Sequence, residues 1–425
     1  MTTSFVRVAV TLCGLVVSYT WCSRIGTDSN VSAKNTRRST NTYKINVCSW
    51  NVGQSNPSGN LDSWLGLNVQ DQPDIVSIGL QEIDDDTKWK EYLLALFSKN
   101  NYVMVKQRKM KWIVQYLFLK RQHLTQTNNI ESETTATGVL NLVGNKGGVS
   151  IRLDFYGSNM IFVNSHLAAH LENVQDRIDD YNRIMNDQSF RDGDVNTIID
   201  HSYIFWMGDL NFRIDDLTKA DIEAKIVAND LKAIQKHDQL LKARANGRIF
   251  QGFSEAPIKF APTYKFDPGT DVYDTSSKQR KPAWTDRILW KTVSGARLNS
   301  YTSYPQYRIS DHKPISARFS VQVSPSGPAL PITFSRVADI SRGKSLAFTY
   351  SCASNMDTSS WDWIALFKEN FSSFDDYEAW TRADGCDKAM EFDQDDTALK
   401  GNYRLGYFSK SKNCIIGYSN IFSVM

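Results

Sequence analysis

Residues 206–213, with the sequence Trp-Met-Gly-Asp-Leu-Asn-Phe-Arg, place a carboxylate and an amide directly after an apolar run. The run, at residues 202–205, predicts a buried strand, and the Gly208-Asp209 pair marks its end. A tight turn at this point would present Asp209 and Asn211 to a cleft. A carboxylate and an amide so placed are suited to holding a water molecule or a metal-bound ligand.

Two further stretches add acids and an imidazole. Residues 282–289, Pro-Ala-Trp-Thr-Asp-Arg-Ile-Leu, contain Asp286, and residues 310–312, Ser-Asp-His, contain Asp311 and His312. Asp, Asn and His are the residue types that activate water beside a metal-bound phosphate. Each stretch alone also has a purely structural explanation, such as an ordinary turn after a strand or an Asp286-Arg287 ion pair.

Other polar residues follow apolar runs in the same way. Asn51 follows the run at residues 43–48, Glu82 follows residues 75–79, and His166 follows residues 160–163. Together with Asp209 and Asp286 these residues make five strand ends, and five strands that each deliver a polar group at the carboxyl end predict one site built on a rigid sheet. The combination favours a functional explanation over a set of independent turns.

The length and charge of the chain limit its class. At 425 residues it exceeds a usual single domain, so we expect two domains. An apolar fraction of 41% and a charged fraction of 22% are typical of globular protein. The net charge of +3 gives no electrostatic footprint for a polynucleotide, so we expect no nucleic acid partner.

The N-terminus differs from the rest of the chain. Residues 5–19 are apolar apart from Arg7, which predicts a signal peptide over residues 1–22, with a membrane anchor as the alternative. A Ser/Thr/Asn-rich tether over residues 23–42 follows. We therefore expect membrane association, with entry into the endoplasmic reticulum and secretory pathway or secretion. The cytoplasmic face is the expectation if the segment is an anchor.

Four cysteines lie outside this leader: Cys48, Cys352, Cys386 and Cys414. They show no Cys-x-x-Cys spacing, which argues against a zinc site. Three of them lie in the last part of the chain, where one disulfide would form if the protein is exported, but the sequence assigns no pairing. Asn30 and Asn370 begin glycosylation sequons that would matter only on that route.

Short apolar runs alternate with helical stretches over residues 43–323, which predicts a layered α/β domain. The helical stretches are residues 171–187 and residues 215–245, the second with Asp215-Asp216 in its first turn. A Pro/Ser/Gly-rich linker is predicted over residues 324–330. Short strand-like runs separated by turns then predict a small all-β sandwich over residues 331–425.

With these motifs in view, residues 43–323 resemble the inositol polyphosphate 5-phosphatases of the endonuclease/exonuclease/phosphatase superfamily. The patterns Trp-x-Gly-Asp-x-Asn-x-Arg and Pro-x-Trp-x-Asp-Arg-x-Leu match the two signatures of the family at residues 206–213 and 282–289. Residues 144–148, 164–170 and 262–265 also fit family patterns. The resemblance implies a two-layer β-sandwich flanked by helices, and a catalytic domain that spans residues 43–323.

The C-terminal residues resemble a SKICH domain. Residues 361–368, Trp-Asp-Trp-Ile-Ala-Leu-Phe-Lys, and residues 401–409, Gly-Asn-Tyr-Arg-Leu-Gly-Tyr-Phe-Ser, carry the likeness. It implies an immunoglobulin-like β-sandwich over residues 331–425 that binds a membrane or a protein partner. The oligomeric state is not indicated.

The family resemblance implies a role for each polar strand end. Glu82, with Asn51 beside it, would hold Mg²⁺, an ion that prefers oxygen ligands. Asp209 would orient and deprotonate the attacking water, with Asn211 fixing the water or the phosphate. Asp311 would lie beside the metal or its waters.

The remaining implied roles concern the phosphate. His312 and His166 would contact the scissile phosphate, and Asp286 would hold the tautomer of His312 and raise its basicity. His166 and His170 are four residues apart, which invites a zinc interpretation, but no His-Glu-x-x-His motif is present and His166 follows a strand.

Substrate choice would depend on five cationic and hydroxyl-bearing residues. The resemblance assigns Lys146, Tyr264 and Lys265 to a ring phosphate next to the one removed, which suits a vicinal bisphosphate. Arg280 and Lys281 are weaker candidates, because a solvated turn explains that pair equally well.

The leading hypothesis is therefore Mg²⁺-dependent removal of the 5-phosphate from phosphoinositides at a membrane surface, with phosphatidylinositol 4,5-bisphosphate or the 3,4,5-trisphosphate as substrate. Soluble inositol polyphosphates are further candidates. One alternative is a nuclease or sphingomyelinase-like phosphodiesterase of the same superfamily, against which Lys146 and the Tyr264-Lys265 pair argue. Another is a non-catalytic phosphoinositide-binding adaptor, which would have no need of the complete set of polar strand ends.

Overall fold

The computed structural model describes residues 41–425 apart from residues 139–144, 192, 294, 324–330, 355, 357 and 384. The predicted leader at residues 1–22 and the predicted linker at residues 324–330 lie outside the described residues. The first strand begins at Asn41, so the last two residues of the predicted tether, Asn41 and Thr42, belong to the sheet. Among the described helices, none has both the length and the apolar character that a membrane crossing requires.

Two mixed sheets form the larger part of the chain. Their strands are β1 (Asn41–Asn51), β2 (Ile75–Gln81), β3 (Tyr102–Met110), β4 (Ile113–Lys120), β5 (Thr127–Ala136), β6 (Gly147–Phe155), β7 (Ser158–His166), β8 (Tyr203–Asp209), β9 (Asp286–Thr292), β10 (Ala296–Ser303) and β11 (Ile315–Val323). The first sheet has the order β10-β11-β1-β2-β4-β3, and the second has the order β5-β6-β7-β8-β9.

Each sheet contains one parallel pair, and these pairs position the site. β1 runs parallel to β2, and β7 runs parallel to β8 with His166 paired to Asp209. Across the two sheets, Gln81 Nε2 donates to Asn164 Oδ1 at 2.6 Å, so the carboxyl ends of the four strands meet at one edge. The expectation of five such ends is wrong for Asp286, which begins β9 and pairs with Asp209 in an antiparallel register.

Apolar layers lie between the sheets and on both of their outer faces. Between the sheets, Phe205 packs on Phe162 and Phe319 with ring centroids 5.3 and 4.9 Å apart. The covering helices are α1 (Asp62–Leu65), α2 (Thr87–Lys99), α3 (Val174–Asp187), α4 (Lys219–Val227), α5 (Leu231–Gln235) and α6 (Gln239–Ala245). Trp89 of α2 and Tyr181 of α3 anchor the two outer layers, so the predicted helix-flanked two-sheet sandwich is confirmed.

The single helix predicted over residues 215–245 is wrong. The structure has three short helices there, because Thr218, Asp230 and Asp238 each accept a backbone N–H with their side chains and so begin α4, α5 and α6. Asn229 adopts a left-handed φ of 54° between the first two helices. Asp215 and Asp216 precede α4 instead of forming its first turn. The helix predicted at residues 171–187 is α3, which begins three residues later at Val174.

The C-terminal residues form two further sheets, as predicted for a small all-β sandwich. Their strands are β12 (Ile332–Phe334), β13 (Leu346–Cys352), β14 (Trp363–Lys368), β15 (Ala379–Arg382), β16 (Ala389–Phe392), β17 (Gly401–Ser409), β18 (Cys414–Tyr418) and β19 (Phe422–Val424). The orders are β12-β13-β16 and β15-β14-β17-β18, with β19 paired to β17. Tyr350 and Tyr407 pack between these sheets.

A disulfide joins Cys352 at the end of β13 to Cys386 in the loop before β16. The pairing was not assigned from the sequence, because sequence spacing carries no information on which strands lie side by side. Cys48 and Cys414 are buried free thiols.

Candidate active site

Asp209, the last residue of β8, lies at the centre of the polar strand ends. Its Oδ2 accepts a hydrogen bond from Asn51 Nδ2 at 3.0 Å and lies 3.3 Å from His166 Nε2 and 3.9 Å from His312 Nε2. Its Oδ1 accepts the backbone N–H of Asn211 at 3.0 Å. The structure therefore brings residues from β1, β7 and β8 and from the loop before β11 onto one carboxylate.

The turn that presents Asp209 depends on glycine at the preceding position. Gly208 has a φ of +143°, and a Cβ at this residue would lie 1.9 Å from the carbonyl oxygen of Ser165 on the neighbouring strand. Only a residue without a side chain allows β7 and β8 to approach so closely at their carboxyl ends.

His312 and Asp286 form a buried pair beside Asp209. His312 Nδ1 donates to Asp286 Oδ2 at 2.9 Å, and the same oxygen accepts the hydroxyl groups of Thr263 and Thr285 at 2.7 and 3.0 Å. Burial alone would lower the pKa of His312, but the negative charges of Asp286 and Asp209 outweigh it and raise the pKa to about 10. His312 is therefore an imidazolium at neutral pH.

The neighbours of Asp209 and His166 also set the charge of each of these two groups. Burial would raise the pKa of Asp209, but the hydrogen bond with His166 and the charges of His312 and Lys146 hold the pKa well below its usual range. Burial and the neighbouring Lys146 lower the pKa of His166, which keeps that imidazole neutral. Asp209 is thus an ionised acceptor that faces one cationic and one neutral imidazole.

Oxygen donors suited to a metal ion gather at the same edge. Glu82 follows β2 with a left-handed φ of 55°, and its side chain is 40% exposed with Oε1 3.8 Å from His166 Nε2. The donor atoms of Asp209, Asp286 and His312 all lie within 4.8 Å of one another. Because His312 and Asp286 are bonded to each other, the carboxylates of Glu82 and Asp209 and the amide of Asn51 are the donors that fit a hard divalent cation.

Lys146, Tyr264 and Lys265 lie around this centre. Lys146 Nζ contacts His166 Nε2, and burial lowers the pKa of Lys146 to about 8. The Tyr264 ring lies 4.6 Å from the His312 ring. Lys265 Nζ donates to Asp311 Oδ2 at 2.8 Å, so the structure places Asp311 against a substrate-binding candidate as well as next to His312.

Arg280 and Lys281 lie apart from Asp209. They line a neighbouring cavity of about 200 Å³ together with Arg213. The backbone N–H of Arg280 donates to Asp274 Oδ2 at 2.7 Å, which fixes the turn. The pair is adjacent to the site through Arg213.

Arg213 is a site residue to which the sequence reasoning assigned no role. Its Nε donates to the backbone oxygen of Asn211 at 3.1 Å, its Nη2 donates to Asn211 Oδ1, and its guanidinium stacks 4.2 Å from the Tyr264 ring. It therefore orients the Asn211 amide and holds Tyr264 in place. The available signal was its position as the last residue of the first motif.

Two structural alternatives from the sequence are also decided. Arg287 forms buried ion pairs with Asp238 at 3.0 Å and Glu255 at 2.6 Å, so its partner is not Asp286. His166 ends β7 and α3 begins only at Val174, so His166 and His170 do not share a helical face, and the helical spacing that invited the zinc interpretation is not present.

Comparison with known proteins agrees with this geometry. Residues 48–318 match the model of the Endonuclease/Exonuclease/phosphatase family 2, and residues 332–424 match that of the SKICH domain. Phosphatidylinositol 4,5-bisphosphate 5-phosphatase A of Rattus norvegicus is 35% identical over 93% of this chain, and Inositol polyphosphate 5-phosphatase K of Mus musculus is 32% identical over 89%. The chain spans 43% of the length of the first relative and 89% of the second.

Among solved structures, the inositol polyphosphate 5-phosphatase domain of SPsynaptojanin, in complex with inositol (1,4)-bisphosphate and a calcium ion, is 36% identical with a TM-score of 0.63. The likeness covers 67% of this chain and 86% of that domain. That related domain was therefore crystallised with both an inositol phosphate and a divalent cation.

Proposed function

Since the chain belongs to the inositol polyphosphate 5-phosphatase family, we propose that it hydrolyses the 5-phosphate of phosphoinositides in a Mg²⁺-dependent reaction. Phosphatidylinositol 4,5-bisphosphate and the 3,4,5-trisphosphate are the proposed lipids, and soluble inositol polyphosphates are further substrates. The observation that carries the proposal is the convergence of Asn51, His166 and His312 on the buried carboxylate of Asp209. This arrangement suits a phosphomonoesterase, because the Asp209 carboxylate can accept a hydrogen bond from water and the two imidazoles can contact the phosphate.

Glu82, Asn51 and Asp209 act on the metal and the attacking water in this proposal. Glu82 and Asn51 would hold Mg²⁺, which would supply Lewis-acid polarisation of the phosphate. Asp209 remains ionised and accepts a hydrogen bond from the attacking water, so it orients the water for in-line attack and takes up its proton. The Asn211 amide, oriented by Arg213, fixes the water or the phosphate from the opposite side.

The imidazoles act on the phosphate. His312 directs its Nε2–H away from Asp286, toward the region where negative charge develops on the phosphoryl oxygens, and the low dielectric of the buried site strengthens that interaction. His166 provides a second donor. Because phosphoryl transfer requires little covalent chemistry from the protein, positioning and electrostatics account for most of the catalysis.

Recognition of a second ring phosphate is assigned to Lys146, Tyr264 and Lys265. Two ammonium groups and a phenol around the catalytic centre suit a vicinal bisphosphate, since each phosphate carries nearly two negative charges. Arg280 and Lys281 extend the cationic surface on the side of Arg213.

The test is phosphate release from phosphatidylinositol 4,5-bisphosphate by the full chain, with Mg²⁺ and after chelation, for the wild type and for Asp209→Ala. We expect release that requires Mg²⁺ and falls by about 10³-fold in the variant. Asp187→Ala, at an exposed carboxylate that pairs with Arg183 at the end of α3, is the matched control and should retain activity.

The other outcomes separate the alternatives. Lipid hydrolysis that persists in Asp209→Ala would refute the mechanism. Cleavage of DNA or sphingomyelin without phosphate release would identify a phosphodiesterase. Lipid binding without turnover in the wild type would identify an adaptor.

We further propose that the protein follows the secretory route. Support comes from the Cys352–Cys386 disulfide, because such bonds persist in oxidising compartments. Asn370 is exposed and available to a glycan. Thiol alkylation of the protein from its native source, followed by mass spectrometry, tests the proposal: modification of Cys352 and Cys386 without prior reduction would contradict it.

A further inference from the structure

An aromatic pocket lies on the C-terminal sandwich, in a different domain from Asp209. It has a volume of about 280 Å³ and is lined by Trp361, Trp363, Tyr377, Trp380, Arg382 and Lys410. The first four residues are called the aromatic box below. Trp361, Trp380 and Tyr377 are 65%, 53% and 40% exposed, so their rings are not needed to fill the core of the sandwich.

Two rings of the aromatic box stand at steep angles to the plane of a third. Trp363 stacks on Phe408 through one face, with centroids 4.8 Å apart, so its other face is the one available to a ligand. Tyr377 and Trp380 stand at 65° and 81° to the Trp363 plane, with centroids 5.4 and 6.5 Å from it. One ring with two neighbours inclined steeply to its plane is an arrangement in which aromatic faces can surround a quaternary ammonium group.

Arg382 already makes a cation–π contact with one of these rings. The guanidinium of Arg382 lies 5.0 Å from the centre of the Trp361 ring. Trp361 is therefore placed for cation–π contact, and Arg382 is held at the edge of the box with its N–H groups available to an anion.

The charges around the box limit the ligand. Arg382 and Lys410 are cations, and the described residues that line the pocket include no carboxylate. A purely cationic ligand would find no counter-charge. A neutral sugar needs hydrogen-bond acceptors, yet Arg, Lys and Trp side chains only donate, which leaves the Tyr377 hydroxyl. A zwitterion that joins a quaternary ammonium group to a phosphate matches both parts of the pocket. The ammonium group suits the aromatic box, and the phosphate suits Arg382 and Lys410.

We propose that this pocket binds the phosphocholine head group of a phospholipid at a membrane surface. The trimethylammonium group occupies the aromatic box, and the phosphate contacts Arg382 and Lys410. Trp and Tyr rings beside Arg and Lys are also the composition that is enriched where proteins meet the membrane–water interface. The proposal does not depend on the reaction at Asp209, since the two sites share no residue.

The experiment uses the full chain and two probes. Soluble phosphocholine is titrated while the N-methyl proton resonance is recorded, because ring currents shift protons held over aromatic faces upfield. Binding to phosphatidylcholine vesicles is then compared with binding to phosphatidylglycerol vesicles of the same acyl chains. The variants are Trp380→Ala, Trp361→Ala and Arg382→Gln, and Leu399→Ala is the control, because Leu399 is a 55% exposed apolar residue on the same sandwich.

We expect an upfield N-methyl shift and a preference for phosphatidylcholine. Trp380→Ala and Trp361→Ala should each weaken phosphocholine binding by about tenfold. Arg382→Gln should weaken binding of phosphocholine but not of choline, and Leu399→Ala should change nothing.

Three results would overturn the proposal. One is the absence of the N-methyl shift. Another is equal or stronger binding to phosphatidylglycerol, which would indicate attraction to a charged surface instead of head-group recognition. The third is phosphocholine binding that Trp380→Ala and Trp361→Ala both leave intact. All variants alter exposed side chains, and unchanged circular dichroism confirms that they are folded.

Discussion

Asp286 and His312 are 26 residues apart in the sequence, yet they form a buried ion pair in which Nδ1 donates to Oδ2 at 2.9 Å. Asp286 is held by its own register on β9, where it pairs with Asp209, while His312 lies in the loop before β11. The pair keeps His312 protonated at neutral pH and points its second N–H toward the Asp209 carboxylate, 3.9 Å away.

Asp286→Asn should lower the pKa of His312 and so remove the positive charge from the group that contacts the phosphate. We expect kcat to fall by about 10²- to 10³-fold. The pH dependence of stability should also change. His312 has its pKa raised from 6.5 to about 10 in the folded state, so its contribution to stability is complete below pH 6.5 and is lost as the pH rises through 10.

Urea unfolding at several pH values from about 6 to about 10 measures this effect. The free energy of unfolding of the wild type should fall across this range by more than that of Asp286→Asn. Asp187→Asn, at an exposed ion pair with Arg183, should behave like the wild type. An unchanged pH dependence in Asp286→Asn would contradict the assignment.

Glu82→Gln should weaken the metal site specifically. The amide keeps the size of the side chain but loses the charge that a hard cation requires, so we expect the Mg²⁺ concentration for half-maximal activity to rise by about tenfold or more. Phosphate release as a function of Mg²⁺ concentration measures it. Asp84→Asn, two residues along in the same loop and exposed, is the control, and an equal effect in both variants would refute the role of Glu82.

Lys265→Ala should alter substrate choice more than turnover. If Lys265 contacts the phosphate next to the one removed, KM for phosphatidylinositol 4,5-bisphosphate should rise by about tenfold, while KM for phosphatidylinositol 5-phosphate stays unchanged. Lys99→Ala, at an exposed lysine that ends α2, is the control. A similar loss on both lipids would show that Lys265 acts only by holding Asp311, its partner at 2.8 Å.

Gly208→Ala should destabilise the fold. The added methyl group would meet the Ser165 carbonyl oxygen at 1.9 Å, so the two parallel strands must separate, and we expect the free energy of unfolding to fall by about 3 kcal/mol or more. Gly343→Ala is the matched control. Gly343 also has a positive φ, of +69°, but nothing lies within 4 Å of its added Cβ, so only the backbone cost of about 1–2 kcal/mol applies. If both variants lost the same free energy of unfolding, the strands would be able to separate at this point without a further cost, and the close approach would not explain the glycine.

The local features of the site were readable from the sequence. Apolar runs followed by Asn51, Glu82, His166 and Asp209 predicted strands with polar carboxyl ends, and the structure has β1, β2, β7 and β8 at these places. Such patterns are local, because side-chain alternation and turn residues act over a few positions. The same reasoning failed over residues 215–245. There the N-terminal caps at Thr218, Asp230 and Asp238 divide the single predicted helix into three.

The sequence by itself determined most of the groups that the site contains, and its resemblance to a known family implied the two-layer β-sandwich that carries them. The family resemblance implied the pairing of His312 with Asp286. Only the tertiary structure decided the pairings of Arg213 with Asn211 and of Cys352 with Cys386. The aromatic box likewise forms because β14 and β15, which carry Trp363 and Trp380, pair side by side and bring with them Trp361 and Tyr377 from the segments just before these strands. These relationships depend on register and on sheet packing, which arise from contacts between distant segments, such as the Trp50 indole bonded to the backbone oxygen of His312 at 3.0 Å. Spacing along a chain does not encode those distances.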